Sequence, residues 1–209
     1  MNGMPTELSL EWQEEMRVRL ADLKRERVNR PGRRAAVLCL FTTIAEKPSI
    51  LFTKRTEKVG THKGQVSFPG GMTDPEDKDA VATALREFEE ELGIAQSKVN
   101  VLGVFHDAIA ITGVPVTPVI GFLPDCPSLD DLNVSEDEIE AVFALSLDEF
   151  TQQDKMSTYY YKTRELNIPV FNAGPWPVWG LTAYIANRIF QVMSWVDLTE
   201  QVAQQVSEK

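Results

Sequence analysis

The sequence is short of the residues that build thiolate metal centres and disulfide scaffolds, with 2 cysteines and 2 histidines in 209 residues. Cys39 sits in an apolar run and Cys126 between prolines, neither in a C-x-x-C spacing, so both read as small hydrophobic residues. Long apolar runs are missing too. The most apolar stretch, Ala35 to Phe41, follows Arg33-Arg34 and falls far short of the roughly 20 apolar residues that a membrane-spanning helix needs. No membrane partner is expected. Positive charge is in deficit, 21 Lys and Arg against 31 Asp and Glu, for a net charge of -10. Long nucleic acid is gripped mainly by Lys and Arg that displace counterions, so it is not an expected partner. A small anionic nucleotide is compatible with this balance, because clustered carboxylates can hold divalent cations that carry the phosphate contact. Met1 to Gln13 contains Glu7 and Glu11 and no apolar core, unlike a secretory leader or an Arg-rich transit segment. Ser207-Glu208-Lys209 differs from a Ser-Lys-Leu peroxisomal address, and the cytoplasm is the expected compartment.

What is present is an ordinary globular mixture, 43% hydrophobic and 25% charged, without internal repeats or a long linker. Leu10, Trp12, Met16, Leu20 and Leu23 predict an amphipathic helix over Ser9 to Val28, ended by Asn29-Arg30-Pro31-Gly32. Ala35 to Thr42 and Ile50 to Thr53 read as buried strands separated by a turn containing Lys47-Pro48. A Gly-rich segment, Gly60 to Gly71, leads into a helix from about Asp79 to Leu92, stopped by Gly93. Val99 to Ile109, Val116 to Phe122 and Glu140 to Leu145 predict further strands, Tyr159 to Lys162 a strand or extended segment, Ser146 to Phe150 a short helical turn, and Trp179 to Trp195 a closing helix. The pattern is that of one α/β domain with a mixed sheet between helices.

On the helix around Arg86, about 100° per residue gathers Val81, Leu85, Phe88 and Leu92 into an apolar stripe. The same arithmetic places Glu87, Glu90 and Glu91 together on the side away from it. Three carboxylates on adjacent turns repel one another, which opposes the helix unless cations occupy the cluster. Oxygen ligands of this kind suit Mg²⁺ or Mn²⁺. Alone, Glu87 to Glu91 reads as a solvated acidic face, but two neighbours favour a site. Phe68-Pro69-Gly70-Gly71 lies just upstream, where glycines let backbone approach a metal or phosphate. Arg86 can lock a glutamate in place through a bidentate hydrogen bond.

The segment resembles the Nudix box, G-x5-E-x7-R-E-U-x-E-E-x-G-U with U a bulky apolar residue. Arg86-Glu87-Phe88, Glu90-Glu91 and Gly93-Ile94 match its second half at every specified position. In the first half, Gly71 lies one residue too far from Arg86 and Lys78 stands where the pattern has Glu; Glu76, Asp77 and Asp79 are the nearby acidic residues that could take that place. Leu51-Phe52-Thr53, Thr56, Gly64 and Phe68-Pro69-Gly70-Gly71 look like the motif that precedes the box in coenzyme A pyrophosphatases, with Gly60 where that motif has an arginine. Val116-Thr117-Pro118-Val119, Ser135-Glu136-Asp137-Glu138 and Val178-Trp179-Gly180-Leu181-Thr182-Ala183 are similar to later parts of the same branch.

The resemblance implies a Nudix-like α/β/α domain over residues 33–200, between an N-terminal helical extension (1–32) and a C-terminal tail (201–209). It implies metal-dependent hydrolysis of the pyrophosphate bond of coenzyme A or an acyl derivative. Expected metal ligands are Glu87, Glu90 and Glu91, with the Gly71 carbonyl as a weaker candidate for Mg²⁺ or Mn²⁺. Arg86 is expected to orient Glu87. Glu138 aligns with a family glutamate that serves as general base, with Glu87 as its rival. Arg55, His62, Lys63, Gly64 and Gly70 are the expected substrate contacts, Lys58 being a further possible source of charge. His106 is expected to be structural, and Trp179-Gly180-Leu181 to pack in the core. Two alternatives keep the fold: action on ADP-ribose, NADH or a 5′-capped RNA end, and a non-catalytic nucleotide-binding module.

Overall fold

The computed structural model describes residues 4–57, 64–126, 128–151, 156–161 and 164–193, and of 156–161 and 164–168 the backbone alone. Expectations for Lys58, Gly60, His62, Lys63 and the tail 201–209 lie outside the described residues.

The central strands are apolar on both sides because both are covered by helices. In β1 (Ala35–Ile44), Ala36, Leu38 and Leu40 pack with Ala84, Phe88 and Leu92 of α2 (Ala80–Leu92). The alternate residues Cys39 and Phe41 join Trp12, Met16 and Leu20 of α1 (Leu10–Asp22) and Ile185, Ile189 and Phe190 of α3 (Gly180–Val192). The period-2 geometry of a strand sends successive side chains to these two cores, giving an α/β/α sandwich.

The sheet is mixed. β1 runs antiparallel to β2 (Lys47–Arg55) and parallel to β7 (Pro115–Leu123), whose residues are all buried. β7 in turn pairs antiparallel with β5 (Asn100–Val104) and β6 (Ala108–Ile109). β3 (Val66–Ser67) and β8 (Ile139–Ser146) both pair with β2. A separate hairpin joins β9 (Met156–Tyr161) to β10 (Arg164–Phe171), the latter a strand that the sequence reading lacks.

One edge of β1 has two partners. Its C-terminal half, Phe41 to Ile44, pairs with Ile50 to Lys47 of β2, whereas its N-terminal half, Ala35 to Val37, pairs with β4 (Gly70–Met72). Leu38 continues the second pairing by donating its N–H to the Pro69 carbonyl at 2.8 Å. The sheet therefore forks, and Gly70-Gly71 lies in the fork beside α2.

Several boundaries differ from those the sequence predicts, three of them for reasons visible in the hydrogen bonds. The β1–β2 turn is Ala45-Glu46, both with positive φ as a tight hairpin of this hand requires, and Lys47-Pro48 belongs to β2. α1 stops at Asp22, because the following arm gives its hydrogen bonds to distant residues instead of continuing the helix. The predicted strand Val99 to Ile109 breaks at Phe105–Asp107 for the same reason. There the Glu26 N–H donates to His106 Nδ1 at 2.9 Å, and the Asp107 N–H donates to the Glu26 carbonyl at 2.9 Å. His106 is buried and structural.

Candidate active site

α2 is fixed at both ends. The Asp79 side chain accepts from the Ala82 N–H at 2.9 Å, and Gly93, in the left-handed conformation, donates its N–H to the Glu89 carbonyl. The three glutamates do not share one face as the helical arithmetic predicts. The Glu91 side chain is 3% exposed, that of Glu87 16% and that of Glu90 59%. The apolar seam is correspondingly shifted, with Ala84, Phe88 and Leu92 fully buried and Val81 and Leu85 at its margin.

Glu91 turns inward toward β4, where the backbone of Gly70 meets it and Gly71 leaves room for its neighbour Glu87. A Cβ on Gly70 would overlap the Ala36 carbonyl oxygen, and one on Gly71 would overlap the Glu87 carboxylate. Gly70 also has φ +149, which side-chain-bearing residues rarely adopt. The Gly70 N–H donates to Glu91 Oε2 at 3.2 Å. Burial pushes the Glu91 carboxyl up to about 8; the Gly70 N–H and Arg55 pull it down, and the charges of Glu87 and Glu138 add to the rise. Burial raises Glu87 as well, against the pull of Arg86.

Arg86 is committed to one position. Nε and Nη2 donate to the two oxygens of Asp77 at 3.1 and 3.0 Å, and Nη2 also donates to the Met72 carbonyl at 3.1 Å. Nη1 faces Glu87 Oε1 at 3.0 Å and Glu90 Oε2 at 2.8 Å. Hydrogen bonds from Arg86, ahead of the opposing effect of burial, hold the Asp77 carboxyl down at about 2. Asp77 is set by a turn in which its N–H donates to the Asp74 carbonyl at 3.0 Å and its Oδ2 accepts from the Asp74 N–H at 2.9 Å. Of the three acidic residues near Lys78, Asp77 thus grips Arg86 and Asp79 caps the helix. The sequence signal for this was the turn-forming Asp74-Pro75 just ahead of it.

Glu138 is brought to the site by backbone bonds alone. The Ser135 N–H donates to the Glu91 carbonyl at 3.0 Å, and the Thr56 N–H donates to the Glu138 carbonyl at 2.9 Å. Between them Arg55 reaches both carboxylates, Nη1 lying 3.5 Å from Glu91 Oε1 and Nη2 3.5 Å from Glu138 Oε2.

The fold therefore gathers Arg55, Gly70, Gly71, Arg86, Glu87, Glu91 and Glu138, while Glu90 stands at the solvent edge against Arg86. Gly64, with φ +63, lies against the Glu57 carboxylate. Among the described residues, no three Asp, Glu, His or Cys side chains stand together as a preformed cation cage. The donors that do meet are carboxylate oxygens, one of them buried with its charge poorly matched, and this chemistry fits a hard divalent cation.

The NUDIX domain profile matches residues 32–166. The mitochondrial coenzyme A diphosphatase NUDT8 of Mus musculus is 37% identical over 198 residues, 91% of this chain and 92% of its own. The uncharacterized Nudix hydrolase NudL of Escherichia coli is 44% identical over 125 residues, 60% of this chain and 62% of its own. Among solved structures, a MutT/nudix family protein from Enterococcus faecalis superposes with a TM-score of 0.50 at 17% identity, covering 93% of this chain and 80% of that one, a likeness of fold alone. With this profile over more than half its length and this identity along most of it, the chain belongs to the Nudix family and is a Nudix pyrophosphohydrolase.

Proposed function

We propose that the chain hydrolyses the pyrophosphate bond of coenzyme A or an acyl-coenzyme A, giving 3′,5′-ADP and (acyl-)4′-phosphopantetheine. The observation that carries this reading is the extent of the likeness to the NUDT8 coenzyme A diphosphatase, 37% identity across 91% of the chain, together with the gathered carboxylates. Glu87, Glu90 and Glu91 are the side chains to hold Mg²⁺ or Mn²⁺, with the Gly71 carbonyl as a further oxygen. The cation, when bound, neutralises the pyrophosphate oxygens and makes water a better nucleophile.

The chain's own residues divide the remaining work. Arg86, held by Asp77 and the Met72 carbonyl, fixes the Glu87 carboxylate. Glu138, half exposed beside the buried Glu91, accepts the proton of the attacking water, with Glu87 as the rival base. The water oxygen bonds to one phosphorus, and the bridging oxygen leaves with the electron pair of its broken bond. Gly70 and Gly71 present backbone without side chains to the phosphates, and Arg55, Gly64, His62 and Lys63 supply contacts to the substrate.

Incubating coenzyme A with the protein and Mg²⁺ or Mn²⁺, with a metal-free control, tests this by mass spectrometry. The expected products, formed only with metal, are 3′,5′-ADP and 4′-phosphopantetheine. Faster turnover of ADP-ribose, NADH or triphosphorylated RNA ends would overturn the substrate assignment.

A further inference from the structure

The two arginines of the site are held in different ways. Arg86 makes five contacts of 2.8 to 3.1 Å that tie it to Asp77, Met72, Glu87 and Glu90. Arg55 is divided between two carboxylates, each 3.5 Å away, at the outer limit of a hydrogen bond. Its neighbour Lys54 is engaged elsewhere, with Nζ 2.5 Å from Glu140 Oε1 and 5.1 Å from the centroid of the Trp176 ring. The Arg55 side chain is 22% exposed and that of Glu138 is half exposed, so this end of the bridge opens to solvent.

We propose that Arg55 is an internal counter-ion that occupies the carboxylates in the cation-free protein and exchanges partners on loading. Glu91 and Glu138 are its partners without a divalent cation; once one is bound at Glu91, Arg55 turns to the anionic substrate. This rests on the cation and phosphate chemistry proposed above. The physical reason is competition for the same charge. A guanidinium beside a carboxylate repels a second cation arriving there, and at two stretched contacts it gives up little to let go. Its release also supplies an unpaired cation for the incoming pyrophosphate, so that cation loading and substrate capture assist each other.

This role and a strut role for Arg55 have opposite signs. Mn²⁺ affinity is measured on the full chain by electron paramagnetic resonance of free Mn²⁺, without substrate, for wild type, Arg55→Gln and Arg55→Lys, with thermal melts to establish folding. The expected result is roughly tenfold tighter Mn²⁺ binding for Arg55→Gln. Arg55→Lys, which keeps the charge but replaces the wide guanidinium fork with a compact ammonium that spans the two carboxylates less well, is expected to bind Mn²⁺ a fewfold tighter, and it carries the test if the Gln variant does not fold. KM for coenzyme A is expected to rise in both variants. Equal or weaker Mn²⁺ binding by a folded variant, with wild type still binding, would overturn the proposal and leave Arg55 a strut. Absence of Mn²⁺ binding by wild type would instead remove the cation site, and this role with it.

Discussion

Asp107, in the break between β5 and β6, and Glu91, near the end of α2, both carry carboxylates almost wholly out of water, with side chains 0% and 3% exposed. Asp107 is saturated. Arg25 Nη2 lies 2.5 Å from one oxygen and Arg34 Nη2 2.6 Å from the other, and the Val28 N–H and Thr117 hydroxyl add bonds of 2.9 and 2.8 Å. Burial alone would raise its carboxyl, but these donors together hold it below its ordinary value. Glu91 has one amide at 3.2 Å and a stretched contact to Arg55, and burial wins. The same act of burial thus serves two ends. Where partners match the charge, the carboxylate ties the N-terminal arm to the sheet; where they fall short, its ionised form is left undercompensated, as the proposed cation ligand would be.

Four experiments would break or sharpen that contrast. Replacing the starved carboxylate, Glu91→Gln, is expected to cut turnover by roughly a thousandfold or more, since it removes a proposed cation ligand. Steady-state kinetics with saturating Mn²⁺ reads this, and unchanged activity would sink the assignment. Because the Glu91 carboxyl is raised above its unfolded value, its ionised form costs stability once pH exceeds the ordinary glutamate range. The same variant should therefore melt higher than wild type at pH 8 without metal. Replacing the saturated carboxylate, Asp107→Ala, is expected to lower folding stability by about 3 kcal/mol in urea titrations, because two arginines lose a buried partner. Its activity at low temperature should persist.

Asp77→Asn loosens Arg86 without touching a proposed ligand, and kcat should fall by roughly tenfold to a hundredfold with KM little changed. The contribution of Asp77 to stability should be complete above the ordinary aspartate range and lost as pH falls through about 2, as acid unfolding of wild type and variant would show. The smallest effect expected is a rise in Mn²⁺ affinity between pH 7 and 9, as the Glu91 proton ceases to compete, and a flatter profile in Glu91→Gln. A pH-independent wild-type affinity would remove Glu91 from the cation site.

Much of this was legible in the sequence where the physics is local. The Gly93 stop, the approximate bounds of α2 and the apolar runs of β1 and β7 follow from side-chain chemistry and period, and so did the α/β class. What escaped depended on partners far along the chain. Helical arithmetic put Glu91 with Glu90 on the side away from the apolar stripe, because it cannot know that the Gly70 N–H meets the Glu91 carboxylate there. The end of α1 and the break at His106-Asp107 are decided by each other across about 80 residues, as the Glu26–His106 bond shows. Arg55 and Glu138 meet Glu91 only through the fork in the sheet and the backbone bonds of Ser135 and Thr56.

That fork bears on how such a protein can change over time. The segment between β2 and β3 leaves and returns at one point, where the Arg55 N–H donates to the Gln65 carbonyl at 3.0 Å, while β4 is held separately by β1. Insertions or exchanges in that segment, which carries Lys58, His62 and Lys63, leave the anchoring of Gly70, Gly71 and α2 untouched. On the assignment proposed above, the two tasks of the domain are thereby uncoupled in inheritance: the stretch that would meet the substrate can drift while the carboxylates beside it stay in register.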